Sequence, residues 1–263
     1  MKIFLLLLVA AAWTAEVVAV AVPAVPFNVS STDLKSFDNT LVAKRGLKRV
    51  SVTMGNAHVN VGEITGRPLF DGIKACLVEI CPQHVNECGN KATKFKHKDG
   101  CPMKGDITYI AKGEVLDTGG ILDVRVASAK WPLGHYALRE ALIDQVAGTF
   151  QVMSEDMKNC FKINVRFRNS NKYDDRTKCC IGEYVDVVVE GWGEDVYMRA
   201  FVRLRQRNWS GGVFDCVAIK GATAKYWREN THIRFADALG VDFDVDPICP
   251  NTQVTWGDDP RLY

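Results

Sequence analysis

The sequence carries little excess charge and, beyond its N-terminus, no long hydrophobic run. Thirty-three Lys and Arg residues oppose 31 Asp and Glu residues, so the formal net charge is +2. A nucleic-acid-binding protein or an acidic mineral-binding polymer would need a large excess of one charge sign, so we expect neither class of protein. No partner class follows from the charge alone.

Motifs for catalysis and for bound metals are also missing. The chain contains no serine nucleophile elbow, no HExxH zinc motif, no phosphate-cradling glycine loop and no Cys/His nucleophile context. The five histidines are dispersed, and no two lie one helical turn apart. The sequence therefore leans against an enzyme, and we predict no catalytic residue, no metal ligand and no cofactor.

Residues 1–21 have the features of a secretory signal peptide. The apolar run from Ile3 to Ala12 is too short to span a bilayer, and small residues allow cleavage after Ala19 or Ala21. We predict a secreted, extracellular protein without a membrane span. Two sequons, at Asn28 and Asn208, are candidates for glycosylation.

Residues 22–49 differ from the rest of the chain in having two prolines, little periodicity and the dibasic pairs Lys44-Arg45 and Lys48-Arg49. Two interpretations stay open, a solvated basic linker and a propeptide with a dibasic junction. We predict one β-rich extracellular domain over residues 50–263.

Nine cysteines lie in the predicted mature region, and a secretory signal makes disulfides their default interpretation. Four of them fall within a loop-rich stretch and are expected to staple a loop at residues 76–104. Cys179 and Cys180 are adjacent, so each is expected to reach a different strand or loop. An odd total leaves one thiol, which could form a disulfide-linked dimer. The candidates are Cys76, Cys81, Cys88, Cys101, Cys160, Cys179, Cys180, Cys216 and Cys249.

Alternation of apolar and polar residues predicts a mainly β fold. Residues 161–168 alternate strictly, and residues 184–190 and 196–204 predict an antiparallel hairpin. Further strands are predicted over Val50–Val61, Ile73–Ile80, Ile107–Val115, Ile121–Val126 and Val213–Lys220. Helical spacing is restricted to His135–Ala147 and Ala224–Leu239. The sequence predicts a disulfide-stabilised antiparallel sandwich or barrel with one or two short helices.

Two basic groups are candidates for binding a polyanion such as a sulfated glycan. Arg199 and Arg203 alternate with aromatic residues along one strand, and Lys94, Lys96 and Lys98 belong to a basic run at the cysteine-stapled loop. The alternative for the first group is a solvated sheet face in which arginines pair with Asp186 and Glu190. A third pattern, Asp242-Phe-Asp-Val-Asp246, fits an edge strand with an acidic outer face better than a calcium site.

Four short segments resemble the strand punctuation of secreted lipid-recognition sandwiches of the GM2-activator kind. These are Gly105–Gly113, Pro132–Tyr136, Gly148–Val152 and Cys160–Ile163. Lys130-Trp131 stands where that family has a cysteine before the proline. The resemblance implies that the interior of the sandwich accepts an apolar ligand.

Three functional hypotheses follow from these patterns. The leading one is a secreted, non-catalytic binding module or extracellular-matrix component whose partners are other matrix molecules. The second is a carrier of an apolar or lipid ligand with a pocket between the sheets. The third is a secreted hydrolase.

Overall fold

The computed structural model describes residues 48–89, 100–103, 107–111, 115–191, 195–205 and 212–251. These residues form a mainly β, sandwich-like architecture of two mixed sheets and three helical segments, and not a closed barrel. The predicted fold class is confirmed. The predicted signal peptide at residues 1–21 lies outside the described residues, and so do residues 22–47 of the predicted linker.

Twelve strands build the two sheets. Sheet A has the order β12-β1-β10-β11-β7-β3, with β4 also paired to β7, and sheet B has the order β2-β9-β8-β6-β5. The strands are β1 (Lys48–Met54), β2 (His58–Gly62), β3 (Glu87–Gly89), β4 (Cys101–Pro102), β5 (Ile107–Ala111), β6 (Val115–Gly120), β7 (Leu122–Lys130), β8 (Cys160–Phe167), β9 (Tyr173–Gly182), β10 (Tyr184–Val189), β11 (Val196–Leu204) and β12 (Phe243–Ile248).

Two strand pairs correct the expectation of an antiparallel fold. β1 and β12 are parallel, as are β6 and β8. Parallel neighbours need a long crossover connection, and the strands of both pairs are far apart in the sequence. Alternation within each strand reports its buried face but carries no information about the direction of its neighbour.

One bent ribbon of two antiparallel strands belongs to both sheets. β1 pairs with β10 in sheet A, and β2, which follows directly, pairs with β9 in sheet B. The bend between the two halves is held by hydrogen bonds from Gly55 N to Tyr184 O (2.8 Å) and from Glu183 N to Ala57 O (2.9 Å). The sheets are therefore joined by continuous backbone as well as by packing.

The helices are α1 (Gly66–Ile80), α2 (Tyr136–Glu155), α3 (Cys216–Tyr226) and α4 (His232–Leu239). A π-helical turn at Trp227–Thr231 joins α3 to α4, so these two form one helical segment. The predicted helix at His135–Ala147 is present but extends to 20 residues, of which 15 are buried. The expectation of one or two short helices therefore underestimated the helical content.

Helix α2 is enclosed by both sheets and by the other helices. It contacts β9 of sheet B, β10 and β11 of sheet A, and α1, α3 and α4. The approach of α3 is so close that a Cβ added to Gly148 would lie 2.0 Å from the ring of Tyr226. A buried position on every face explains why this helix lacks the one-sided apolar stripe typical of a surface helix.

Two segments predicted as strands are helices. In Ile73–Ile80, the buried residues Ile73, Cys76 and Leu77 continue a spacing of three and four residues that starts at Leu69. In Val213–Lys220, the Asp215 side chain accepts a hydrogen bond from Ala218 N (3.1 Å) and starts helix α3. Both are short apolar runs, which periodicity alone does not distinguish from strands.

Four disulfides link eight of the nine cysteines. Cys76–Cys101 and Cys81–Cys88 connect the end of α1 to β4 and β3. Cys160–Cys179 joins the adjacent strands β8 and β9, and Cys216–Cys249 joins α3 to the end of β12. The local staple predicted from the first four cysteines is present. Cys179 reaches a neighbouring strand as expected, whereas Cys180 is a buried thiol outside the four disulfides.

Strand β1 begins two residues before the predicted domain boundary and includes Lys48 and Arg49. These residues are registered with Phe243 and Asp244 of β12, and Arg49 O accepts a hydrogen bond from Glu190 N (2.8 Å). The second dibasic pair therefore belongs to a strand that is paired on both sides. Cleavage there would require β1 to leave the sheet.

We predict that a Lys/Arg-specific protease leaves the peptide bonds after Lys48 and Arg49 intact in the folded protein and cuts them once the chain is unfolded in denaturant. Mass spectrometry of the fragments at both conditions measures this. If the segment before β1 is processed at a dibasic pair, the new N-terminus should follow Arg45. A folded, secreted protein that begins at Val50 would contradict this prediction.

Candidate functional site

The basic residues of β11 lie on the face of sheet A opposite the residues that pack on helix α2. Arg199 pairs with Asp186 of β10, with its Nε 2.9 Å from Oδ2. Arg203 Nε lies 3.8 Å from Asp123 Oδ2. Cross-strand carboxylates thus neutralise both candidate polyanion-binding arginines. The partner of Arg199 is the Asp186 that the solvated-sheet alternative named, whereas Arg203 pairs with Asp123 rather than with Glu190.

Asp123 is fully buried and binds a second arginine as well. Arg205 Nη2 lies 2.6 Å from Asp123 Oδ1, and its Nε lies 3.0 Å from Oδ2. This bidentate geometry is the strong form of an arginine–carboxylate pair. Tyr184 and Phe201, whose ring centroids are 5.3 Å apart, lie beside these pairs, so charged and aromatic groups of this face contact one another within the sheet.

Several predicted site residues lie outside the described residues. These are the lysines Lys94, Lys96 and Lys98 and the glycosylation candidates Asn28 and Asn208. The described cysteines nearest to these lysines in the sequence, Cys88 and Cys101, form disulfides with Cys81 and Cys76 at the end of helix α1.

The acidic pattern at Asp242–Asp246 forms the edge strand β12, in agreement with the interpretation favoured from the sequence. Asp246 Oδ2 lies 3.5 Å from Arg49 Nη1 on the neighbouring strand β1. Across the described part of the chain, no group of three His, Cys, Asp or Glu residues is placed to hold a metal ion.

A polar cluster around a buried lysine, which the sequence patterns did not reveal, lies in sheet B. This sheet curls so strongly that β5 at one edge approaches the end of β2 at the other, and a Cβ on Gly62 would lie 2.8 Å from Thr108 O. Between them stands Lys178, whose side chain is 1% exposed. Its Nζ donates to Thr108 Oγ1 and lies 3.4 Å from Glu63 Oε1.

The cluster is closed by further hydrogen bonds. Thr108 Oγ1 donates to Glu63 Oε2 (2.9 Å), and Arg176 Nη1 donates to Glu63 Oε1 (3.2 Å). Arg176 also binds Asp174 through its Nε. One hydroxyl and two cations thus surround a single carboxylate, and the cluster connects β2, β5 and β9.

Burial and charge shift the pKa values of the cluster in known directions. Burial lowers the pKa of Lys178 below its usual value, although Glu63 opposes this shift. Burial alone would raise the pKa of Glu63, but the hydrogen bond from Thr108 and the charges of Lys178 and Arg176 leave it lowered. Glu63 is therefore a carboxylate at neutral pH, and its role is to compensate the buried ammonium.

Cys180 follows Lys178 on the same side of β9, since residues two apart in a strand share a face. Burial raises the pKa of its thiol to about 11. Residue 212 packs directly on it, because a Cβ on Gly212 would lie 2.4 Å from the Cys180 Sγ. A protonated, covered thiol is a poor nucleophile and a poor metal ligand.

Alternation of polar residues along β9 shows one part of this cluster in the sequence. Asp174, Arg176, Lys178 and Cys180 occupy alternate positions of β9 and therefore share one face. The alternation does not reveal that β5 and Glu63 fold over that face, because their approach depends on the curl of the sheet.

Comparisons with known proteins add no functional information. No family model matches the chain, and no match is found among curated proteins or among solved structures. None of the described helices is both long enough and apolar enough to cross a membrane.

We predict that Glu63→Gln lowers the free energy of unfolding at pH 7 by about 1–3 kcal/mol, because Lys178 would lose its nearest counter-charge. Since Glu63 has a lowered pKa in the folded state, its ionic contribution is complete above its usual value of 4.5 and is lost as the pH falls below it. The difference between the two proteins should therefore shrink in acid.

Urea unfolding from pH 7 down to pH 3 measures this difference. Glu229→Gln is the control, because Glu229 makes an exposed i,i+4 pair with Lys225 and should change stability by less than about 0.5 kcal/mol. Equal effects of the two substitutions would show that Glu63 makes no special contribution.

Cys180 should resist thiol reagents in the native protein and react once the chain is unfolded without reductant. Labelling followed by mass spectrometry should find one modified cysteine per unfolded chain and none in Cys180→Ala. Because the thiol is buried, non-reducing electrophoresis should show a monomer rather than the disulfide-linked dimer considered from the sequence. Rapid labelling of the native protein would contradict this prediction.

Proposed function

We propose that this protein is a secreted, non-catalytic binding protein and a component of the extracellular matrix. The observation that carries the proposal is the set of four disulfides, a network of cross-links that joins the end of α1 to β3 and β4, β8 to β9, and α3 to the end of β12. Such a network persists in the oxidising environment outside the cell. The predicted signal peptide at residues 1–21 agrees with this location.

The internal pairing of the charged groups supports a binding role over a catalytic one. Catalysis requires a base or nucleophile that is positioned for a substrate. Lys178, Glu63 and Thr108 instead bond to one another inside sheet B, and Arg199 bonds to Asp186. These groups contribute to the stability of a scaffold.

The packing around helix α2 weighs against the second hypothesis, a carrier with an apolar pocket between the sheets. Helix α2 lies where the interior of an open sandwich would be, and it contacts β9, β10 and β11. Its residues Leu142, Val146 and Phe150 are fully buried. A lipid entering this space would have to displace the helix.

Expression of the full chain in secreting eukaryotic cells tests the proposal. We expect the protein in the medium without residues 1–21, with four disulfides, and retained on cell-derived matrix until it is eluted by salt. A variant lacking residues 1–21 is the control and should remain inside the cells. Intracellular retention of the full chain, or secretion without any matrix retention, would contradict the proposal.

A further inference from the structure

We propose that the tip of the β8–β9 hairpin is a binding site for an anionic saccharide, a uronate-containing or sulfated sugar unit of a matrix glycan. The inference rests on the proposed function and names its ligand. The site consists of Arg166, Asn169, Ser170 and Asn171, which line an open cavity of about 290 Å³. This volume is near the lower end for small-molecule sites and offers room for a single sugar ring.

Arg166 supplies the positive charge of the site. It is exposed on β8, on the face opposite that of Val165 and Phe167, which pack in the small core of sheet B. No acceptor within the described residues binds its guanidinium. This distinguishes Arg166 from Arg199 and Arg203, whose charges are compensated across sheet A.

The carboxylates around the hairpin are engaged by other donors. Asp117 binds Arg168, Asp174 binds Arg176, and Asp175 accepts a hydrogen bond from Asn164 Nδ2 (2.6 Å). Among the residues that the structure describes, none occupies the planar fork of the Arg166 guanidinium, and this fork matches the geometry of a carboxylate or sulfate group.

The turn positions the polar groups of the cavity. It is closed by hydrogen bonds from Phe167 N to Lys172 O (3.0 Å) and from Ser170 N to Phe167 O (3.2 Å). Asn169 has a φ of 62°, a left-handed conformation that asparagine tolerates well. Ser170 Oγ accepts from Lys172 N (2.9 Å) and retains its own hydroxyl proton for a ligand.

An exposed aromatic residue lies opposite Arg166 on the neighbouring strand. Tyr173 is the cross-strand partner of Arg166 and shares its face of the hairpin, and it is 67% exposed. A sugar presents both an apolar C–H face, which packs on such a ring, and hydroxyl groups, which the amides of Asn169 and Asn171 bind. The lining of amides and a hydroxyl favours a saccharide over a simple phosphate.

A longer polyanion would find a second cation on the same strand, with the Asn164–Asp175 pair between the two cations. Lys162 is exposed and lies four residues before Arg166, on the same face of β8. Four residues of a strand span about 13 Å. A glycan chain that runs along β8 would therefore contact Arg166 with one acidic sugar and Lys162 with another.

Equilibrium binding of defined heparin and chondroitin sulfate oligosaccharides to the secreted protein at 0.15 M salt tests the site. We expect Arg166→Gln to weaken binding by about tenfold, because a charge-assisted hydrogen-bond pair is lost. Asn171→Ala and Tyr173→Ala should weaken it by smaller factors. Asn169 is left unchanged, since its left-handed backbone would make any loss ambiguous.

Arg228→Gln is the matched control, because Arg228 is also exposed and no ion pair with another described residue neutralises it. Equal losses from Arg166→Gln and Arg228→Gln, or equally effective competition by single-stranded DNA of the same charge, would overturn the saccharide site. Absence of oligosaccharide binding would overturn it too. Matrix retention that survives Arg166→Gln would overturn this site and leave the proposed function standing.

Discussion

Enclosure of helix α2 is the constraint on which the rest of this structure depends. A helix that is buried on every face must find partners inside the protein for each polar group that it carries. Arg139 is fully buried, and its Nε donates to Cys81 O at 2.6 Å while its Nη2 donates to Val78 O at 3.2 Å. One side chain of α2 thus satisfies the carbonyl groups that the end of α1 leaves open.

The opposite charge on α2 connects it to two other helices. Asp144 is almost fully buried, and its Oδ1 lies 2.6 Å from Lys74 Nζ of α1, while its Oδ2 binds Arg234 of α4. Gln145 follows Asp144 on α2, and its Oε1 accepts a hydrogen bond from Thr231 Oγ1 (2.6 Å). This bond anchors the π-helical turn. These bonds define one orientation of the helices around α2, whereas apolar packing alone would tolerate several orientations.

Disulfides, ion pairs and continuous strands together hold the two sheets around this helix. The shared ribbon of β1–β2 and β9–β10 makes the sheets continuous, and Cys160–Cys179 fixes β8 to β9 on the sheet B side. Lys178 and Glu63 then hold β5 against β2, where the curled sheet brings two edges together. The charged side chains inside the scaffold form ion pairs with their neighbours. Arg166 has no such ion pair with a described residue.

Local patterns alone predicted a good part of the fold. Strict alternation located β8, β10 and β11, the helical spacing at His135–Ala147 located the start of α2, and the cluster of four cysteines predicted a local staple. These predictions succeeded because each depends on residues that are neighbours in the sequence. The two helices mistaken for strands, α1 and α3, failed for the same reason, since a short apolar run has no clear period.

Neither candidate site could be found from the sequence. Lys178 meets Thr108 and Glu63 only because sheet B curls, and Arg166 differs from Arg199 because no carboxylate among the described residues binds it. Both facts depend on which distant residues fold next to a charge, and a one-dimensional pattern does not contain that information. The sequence by itself determined the mainly β class, the abundance of cysteine and the near-neutral charge. The tertiary structure decided which cysteines pair and which of the described charges are neutralised by ion pairs, because both depend on residues that are distant in the sequence.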